Sequence, residues 1–224
     1  ATPRTRHLSL LDRSVIWLSY GFGAGGLGLF MIFLWFGPFN LVALDLGPVS
    51  ALALDTTLCL VFFVQHSLMA RTGVQKIISA MVRKKYTPAV YSIVSGITLS
   101  ALCFLWQGAG GIAAPHLLVK WLLHSLFFGA ILGFIWGVRS LRHLDPFGIK
   151  DVLGKTDTAP PKLTIRGPYC FVRHPFYFFS LVMIWARPQV SADLVLFNLL
   201  FTIWFIVGSI LEEKDLVQIF GQDY

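Results

Sequence analysis

Apolar residues in this chain gather into long runs separated by short polar stretches. The runs extend from Val15 to Phe36, Val49 to Ala70, Pro88 to about Gln107, Leu117 to Val138 and Val190 to Leu211. Each is close to the ~20 residues that carry a helix across a bilayer core. A sixth run, Phe176 to Ala186, reaches only about 16 Å as a helix at ~1.5 Å per residue. Arg187-Pro188 then turns the chain into the last run. The pair reads as an asymmetric hairpin with a short or tilted first arm. The expected fold is all-α: a polytopic transmembrane helical bundle of about five or six membrane helices with a C-terminal helical hairpin. The pattern fits a single domain over 1–224, with N-terminal spans across 15–138 and a polar-rich C-terminal half, 139–224.

The polar stretches set an orientation. Residues 37–50 and 108–116 contain no Lys or Arg, whereas the loop from Arg71 to Thr87 carries Arg71, Lys76, Arg83, Lys84 and Lys85. The longest polar segment, Arg139 to Phe171, adds Arg139, Arg142, Lys150, Lys155, Lys162 and Arg166. Positive charge concentrates on the cytoplasmic side of membrane proteins, so both termini and both basic loops are expected there. Residues 214–224 alternate as a short surface helix would.

Composition agrees with this pattern. Hydrophobic residues make up 56% and charged residues 13%, against about 25% charged in soluble domains. The chain is read as an integral membrane protein whose standing partner is the lipid bilayer. Its net charge of +7 resides in the loops, which argues for membrane topology and against nucleic acid. Cys59, Cys103 and Cys170 form no C-x-x-C pair, so neither a disulfide framework nor a metal site is expected. Arg4, Arg6 and Arg13 precede a run too long for a signal-peptide core, which predicts a retained first span. The glycines at 21, 23, 25, 26 and 28 suit close helix packing; no strand precedes them and no lysine follows, as a phosphate loop would require. No obligate protein partner is evident.

Chemistry concentrates late in the chain. Gly167-Pro168 marks a turn, and His174-Pro175 sets a polar residue before a proline suited to the first position of a helix. Such a helix start, with Arg173 beside it, presents free N–H groups and positive charge to a carboxylate or phosphate. Glu212-Glu213, one apolar run later, offers the opposite sign. S-adenosylmethionine suits such a bracket, because its amino-acid head and ribose match the polar ends and its sulfonium matches the faces of Tyr169, Tyr177, Phe176 and Phe178. The same residues also serve as interfacial anchors or a plain ion pair. Within the spans, Gln65 and His66 are costly at membrane depth unless they face the bundle interior, as pocket residues or as interhelical hydrogen-bond partners. Lys120 is expected to snorkel and His124 to pack.

The pattern Gly167-Pro168-Tyr169, Val172-Arg173-His174-Pro175-x-Tyr177 and Glu212-Glu213-x-x-Leu216 resembles the membrane methyltransferases related to isoprenylcysteine carboxyl methyltransferase. More narrowly, Gln65-His66-Ser67-x-Met69-Ala70-Arg71, Asp145-x-Phe147-Gly148 and Phe220-Gly221-x-x-Tyr224 are similar to the bacterial methanethiol S-methyltransferases. The likeness runs from about residue 60 to the end. It implies that the C-terminal half binds S-adenosylmethionine through Tyr169, Arg173, His174, Tyr177, Glu212 and Glu213. It also implies methylation of a small thiol, methanethiol to dimethyl sulfide, at the cytoplasmic face of a bacterial inner membrane. Many relatives carry a small residue two positions after the motif tyrosine, where this chain has Phe179. Sterol reductases share part of the pattern, but this chain is short for that family.

Methyl transfer asks the protein to position reactants and exclude water, while the thiol must lose a proton. His66, or His143 with Asp145, is the expected base. Alternative acceptors are hydrogen sulfide, a prenylcysteine carboxylate or a phospholipid amine, and a non-catalytic assembly or transport protein is the other class.

Overall fold

The computed structural model describes residues 8–109, 115–141, 144–155, 163 and 165–221. Its long helices are α1 (Leu10–Phe36), α2 (Pro48–Ala70), α4 (Thr87–Leu105), α5 (Leu117–Ser140) and α8 (Ala192–Phe220). Shorter helices are α3 (Thr72–Met81), α6 (Ile149–Val152) and α7 (Pro175–Trp185). No strand occurs among the described residues. Five helices are long and apolar enough to cross a membrane, and α7 is the short apolar sixth. The polytopic helical bundle and its C-terminal hairpin, α7 with α8, are therefore present as expected.

Local signals set the ends. Ser9 and Asp12 form a reciprocal capping box at the start of α1. Proline occupies the first turn of α2, α4 and α7, where its missing N–H costs nothing. Within α1, Ser19–Ala24 widens into a π-helical stretch over the glycine-rich segment. There α1 and α4 approach so closely that a methyl on Gly96 would collide with the Phe22 carbonyl, and one on Gly26 would sit 2.6 Å from the Gly96 carbonyl oxygen. Gly23 and Gly26 thus pack as predicted, while Gly21 and Gly28 have no neighbour within 4 Å.

Two stretches differ from expectation. The supposed loop after α2 contains α3, whose Ile77 and Met81 are largely exposed. Its lysine and glutamine alternate with isoleucine and methionine as in an amphipathic helix, and its charges alone had suggested a loop. The tail also is no separate helix: α8 runs 29 residues to Phe220 without a break at Glu212-Glu213. Nothing at that point stops a helix, since Glu, Lys and Leu all favour one.

The core is apolar and aromatic, built from Phe33 and Leu34, Phe62 and Phe63, Leu102, Ile184, Phe197 and Phe201. Phe197 and Phe201 stack with centroids 4.2 Å apart, and Phe63 stacks on Trp204 at 4.6 Å. Outward residues such as Leu60, Val61 and Val64 on α2 and Ile203, Val207 and Ile210 on α8 are exposed, as lipid-facing positions are. The protein is an integral membrane protein.

Helix α7 lies in a groove of α5. A side chain at Gly133 would collide with the Phe179 ring, and a methyl at Gly137 would lie 3.0 Å from Phe176. The bulky residue after the motif tyrosine is therefore accommodated by a small-x-x-x-small surface on the facing helix.

Candidate active site

At the end of the bundle that carries the basic segments, α7 begins beside the last turns of α8. Pro175 fixes the first helical turn, so His174 faces Glu212 and Glu213 across the hairpin. His174 Nε2 lies 2.7 Å from Glu213 Oε1, and Nδ1 lies 3.6 Å from Glu212 Oε2. Arg173 Nη1 donates to Glu213 Oε2 at 3.4 Å. The histidine side chain is largely covered, Glu213 is 31% exposed and Glu212 is 49% exposed. The two arms, separated by 35 residues or more in sequence, thus meet directly. Arg173 and Glu213 pair with one another, and Glu212 is the more accessible carboxylate.

Aromatic rings surround this cluster. Tyr177 stacks obliquely on His174 at 5.6 Å and on Phe205 at 5.8 Å. Tyr169, in the 3-10 turn Gly167–Cys170, meets Phe176 edge to face at 6.2 Å. Burial, reinforced by the negative charge of Glu212, pushes the Tyr169 hydroxyl up to about 12, so it remains a hydrogen-bond donor at any physiological pH. Of the five cofactor candidates of the α7–α8 hairpin, His174 meets Tyr177, Glu212 and Glu213, and Arg173 joins them through Glu213.

A second polar group adjoins it. His66 Nε2 lies 2.8 Å from Tyr91 Oη, and Nδ1 lies 3.2 Å from Ser95 Oγ. Gln65 is held by Thr98 and Ser95, and Trp204 Nε1 donates to Ser67 Oγ at 3.1 Å. Phe62 and Trp204 wall the imidazole at 5.3 and 5.5 Å. Trp204 meets Phe205 at 5.3 Å and Phe205 meets Tyr177 at 5.8 Å, so a line of rings connects the His66 group to the hairpin cluster. Tyr91, Ser95 and Trp204 were not singled out by sequence. A polar stripe at 91, 95 and 98, one face of α4, was the available signal.

Asp145 has a local contact. Its Oδ2 accepts from the Lys150 N–H at 2.6 Å, and its carbonyl accepts from Gly148. Gly148 adopts φ +65 with its Cα pressed on Pro88 and Ala89, a position where a side chain would collide. Phe147 packs on Tyr20, and Ser19 Oγ donates to its carbonyl at 2.6 Å. The Asp145-x-Phe147-Gly148 motif therefore docks the segment before α6 onto α1 and α4. His143 and Tyr224 lie outside the described residues.

Residues 124–223 match the family model described as Phospholipid methyltransferase. The chain is 34% identical over 197 residues to the methanethiol S-methyltransferase of Pseudomonas deceptionensis, covering 81% of this chain and 72% of that protein. It is 32% identical over 188 residues to methanethiol S-methyltransferase 1 of Bradyrhizobium diazoefficiens, covering 80% and 65% respectively. Nurim of Xenopus laevis is 24% identical over 188 residues, covering 73% and 62%. No solved structure matches the chain.

Proposed function

The chain belongs to the methanethiol S-methyltransferase family and is a membrane methyltransferase, and from that premise we propose that it methylates methanethiol to dimethyl sulfide with S-adenosylmethionine as donor. We read residues 1–224 as one domain, with the termini and the site on the cytoplasmic side of a bacterial inner membrane, where the polar donor arrives from water and the apolar thiol from lipid.

The observation that carries the reading is the junction of two unlike groups at one end of the bundle. The Arg173–His174–Glu212–Glu213 cluster is joined to the His66–Tyr91 network by the rings of Tyr177, Phe205 and Trp204. The first group suits the donor. Glu212 is half exposed and offers acceptor oxygens to an ammonium or hydroxyl groups. Arg173, 70% exposed, offers donors to a carboxylate. The faces of Tyr177, Tyr169 and Phe205 suit a sulfonium. When bound, that donor supplies an electrophilic methyl group. The chain's own residues orient it, exclude water and hold the acceptor in line. His66 is the proposed acceptor-activating group. His143 with Asp145 is the other candidate base.

Labelled S-adenosylmethionine supplied with a panel of thiols, hydrogen sulfide, a prenylcysteine and phosphatidylethanolamine tests the reading, with volatile and lipid products analysed separately. Labelled dimethyl sulfide is the expected product. Label in lipid alone would reassign the acceptor, and no S-adenosylmethionine binding by calorimetry at millimolar concentration would sink the enzyme reading.

A further inference from the structure

The segment that joins α2 to α4 carries charge of one sign only. Residues 56–144 contain no Asp or Glu, yet 71–87 holds Arg71, Lys76, Arg83, Lys84 and Lys85. Two of these five find a carboxylate elsewhere in the fold: Arg71 pairs with Asp215 of α8, and Lys85 with Asp12 of α1. Lys76, Arg83 and Lys84 are exposed and make no ion pair among the described residues.

Helix α3, within this segment, also has an apolar face. At ~100° per residue Val74, Ile77, Ile78 and Met81 share one side of it, and Thr72, Gln75, Lys76 and Ser79 share the other. No residue of α3 is buried, and Ile77 and Met81 are 62% and 82% exposed. The place of the helix says what covers them. Arg71, extended at φ −74 and ψ 138, is the single residue between α2 and α3, and the 3-10 turn Lys84–Tyr86 leads on into α4. Both neighbours are membrane spans, so α3 is tied at each end to the level at which a span leaves the hydrocarbon. A helix at that level meets acyl chains on one side and headgroup phosphates on the other.

We propose that α3 lies in the plane of the bilayer surface with Ile77 and Met81 among the acyl chains, and that Lys76, Arg83 and Lys84 bind the phosphates of anionic phospholipids. Charge selects the lipid class. A zwitterionic headgroup carries its own ammonium beside the phosphate, whereas an anionic one presents a negative charge that the three cations can meet, and each cation near such a surface adds to the attraction. The surface is independent of which acceptor the active site methylates.

The test uses the full chain in nanodiscs of phosphatidylcholine, with and without phosphatidylglycerol. A nitroxide on Met81→Cys, in a Cys170→Ser background that leaves only the buried Cys59 and Cys103, is expected to be relaxed more by oxygen than by a water-soluble nickel chelate. The same label on Gln75→Cys is expected to show the reverse. Spin-labelled phosphatidylglycerol is expected to associate with the parent about threefold more strongly than spin-labelled phosphatidylcholine, and the preference is expected to shrink with added salt. Replacing Lys76, Arg83 and Lys84 together by Gln is expected to remove more than about half of it. Replacing Arg13, Lys120 and Lys155 together by Gln subtracts the same charge at exposed positions elsewhere and is expected to leave most of it. Thermal unfolding in detergent checks that the variants fold, and the salt series reads the parent alone. A preference that is absent from the parent, insensitive to salt, unchanged in the first triple variant or lost equally in both overturns the lipid surface. A Met81 label that the nickel chelate reaches as readily as the Gln75 label overturns the in-plane seat and leaves the apolar face to a protein partner or a second copy.

Discussion

At one end of the bundle Asp55, Asp193 and Arg187 are sealed beneath Trp106 and Phe33; at the other, Arg173, His174, Glu212 and Glu213 stand partly in solvent. The residue types are alike and the uses differ. In the sealed network, Trp106 Nε1 and the Ala109 N–H donate to Asp193 at 3.0 and 3.1 Å, and the Gln107 N–H donates to Asp55 at 2.9 Å. Arg187 packs 5.7 Å from the Phe33 ring centroid. Burial, opposed by nearby Asp193, pulls its guanidinium down to about 10, so it still carries its charge at neutral pH. Among the described residues its terminal nitrogens and Asp55 Oδ2 have no protein partner, and such groups are commonly met by buried water. This network clasps the segment after α4 to α2 and α8, with Arg187 of the α7–α8 turn buried beside it. The open cluster keeps accessible oxygens and donors, which a clasp does not need and a binding site does.

Four substitutions bear on that contrast, from the largest expected effect to the smallest. Asp193→Ala strips the acceptor from two donors and leaves Arg187 uncompensated, which is expected to cost ~3–5 kcal/mol of stability. Thermal unfolding in detergent reads this, and a cost below ~1 kcal/mol would show that the sealed end is no clasp. Glu213→Gln at the open end is expected to lower turnover roughly 100-fold, or ~2.7 kcal/mol of transition-state stabilisation, with the unfolding temperature nearly unmoved. A large thermal shift without a kinetic one would reverse the assignment of the two ends. Gly133→Leu fills the groove that receives Phe179 and is expected to cost ~1–3 kcal/mol. Adding Phe179→Ala should recover much of the loss, and simple additivity of the pair would rule out their contact. Arg71→Ala removes a surface pair with Asp215 at 3.3 Å; the loss expected is at most ~1 kcal/mol and shrinks further with added salt.

The fold was largely readable from sequence because each apolar run reports its own environment, and α2, α4, α5 and α7 begin and end within a few residues of their runs. What escaped was amphipathic rather than apolar: α3, and the continuation of α8 through Lys214 and Asp215. Of the site, the hairpin residues were legible because Arg173-His174-Pro175 opens an apolar run and Glu212-Glu213, the only glutamates in the sequence, close the next. Tyr91, Ser95 and Trp204 were not, since hydroxyls and indoles are ordinary in spans and only the partner helix reveals which face they share. Asp145 shows the converse. Its motif stood out in sequence, and its visible contact is a turn that depends on Gly148.

The unbroken length of α8 has a mechanical consequence. Asp193 is fixed in the clasp and Glu213 in the open cluster, twenty residues apart on one helix. At ~1.5 Å per residue that is about 30 Å, the thickness of a hydrocarbon core. The helix therefore acts as a gauge that sets the distance between the two polar ends. A thinner bilayer has to tilt the whole bundle or pucker around it rather than draw the two ends together.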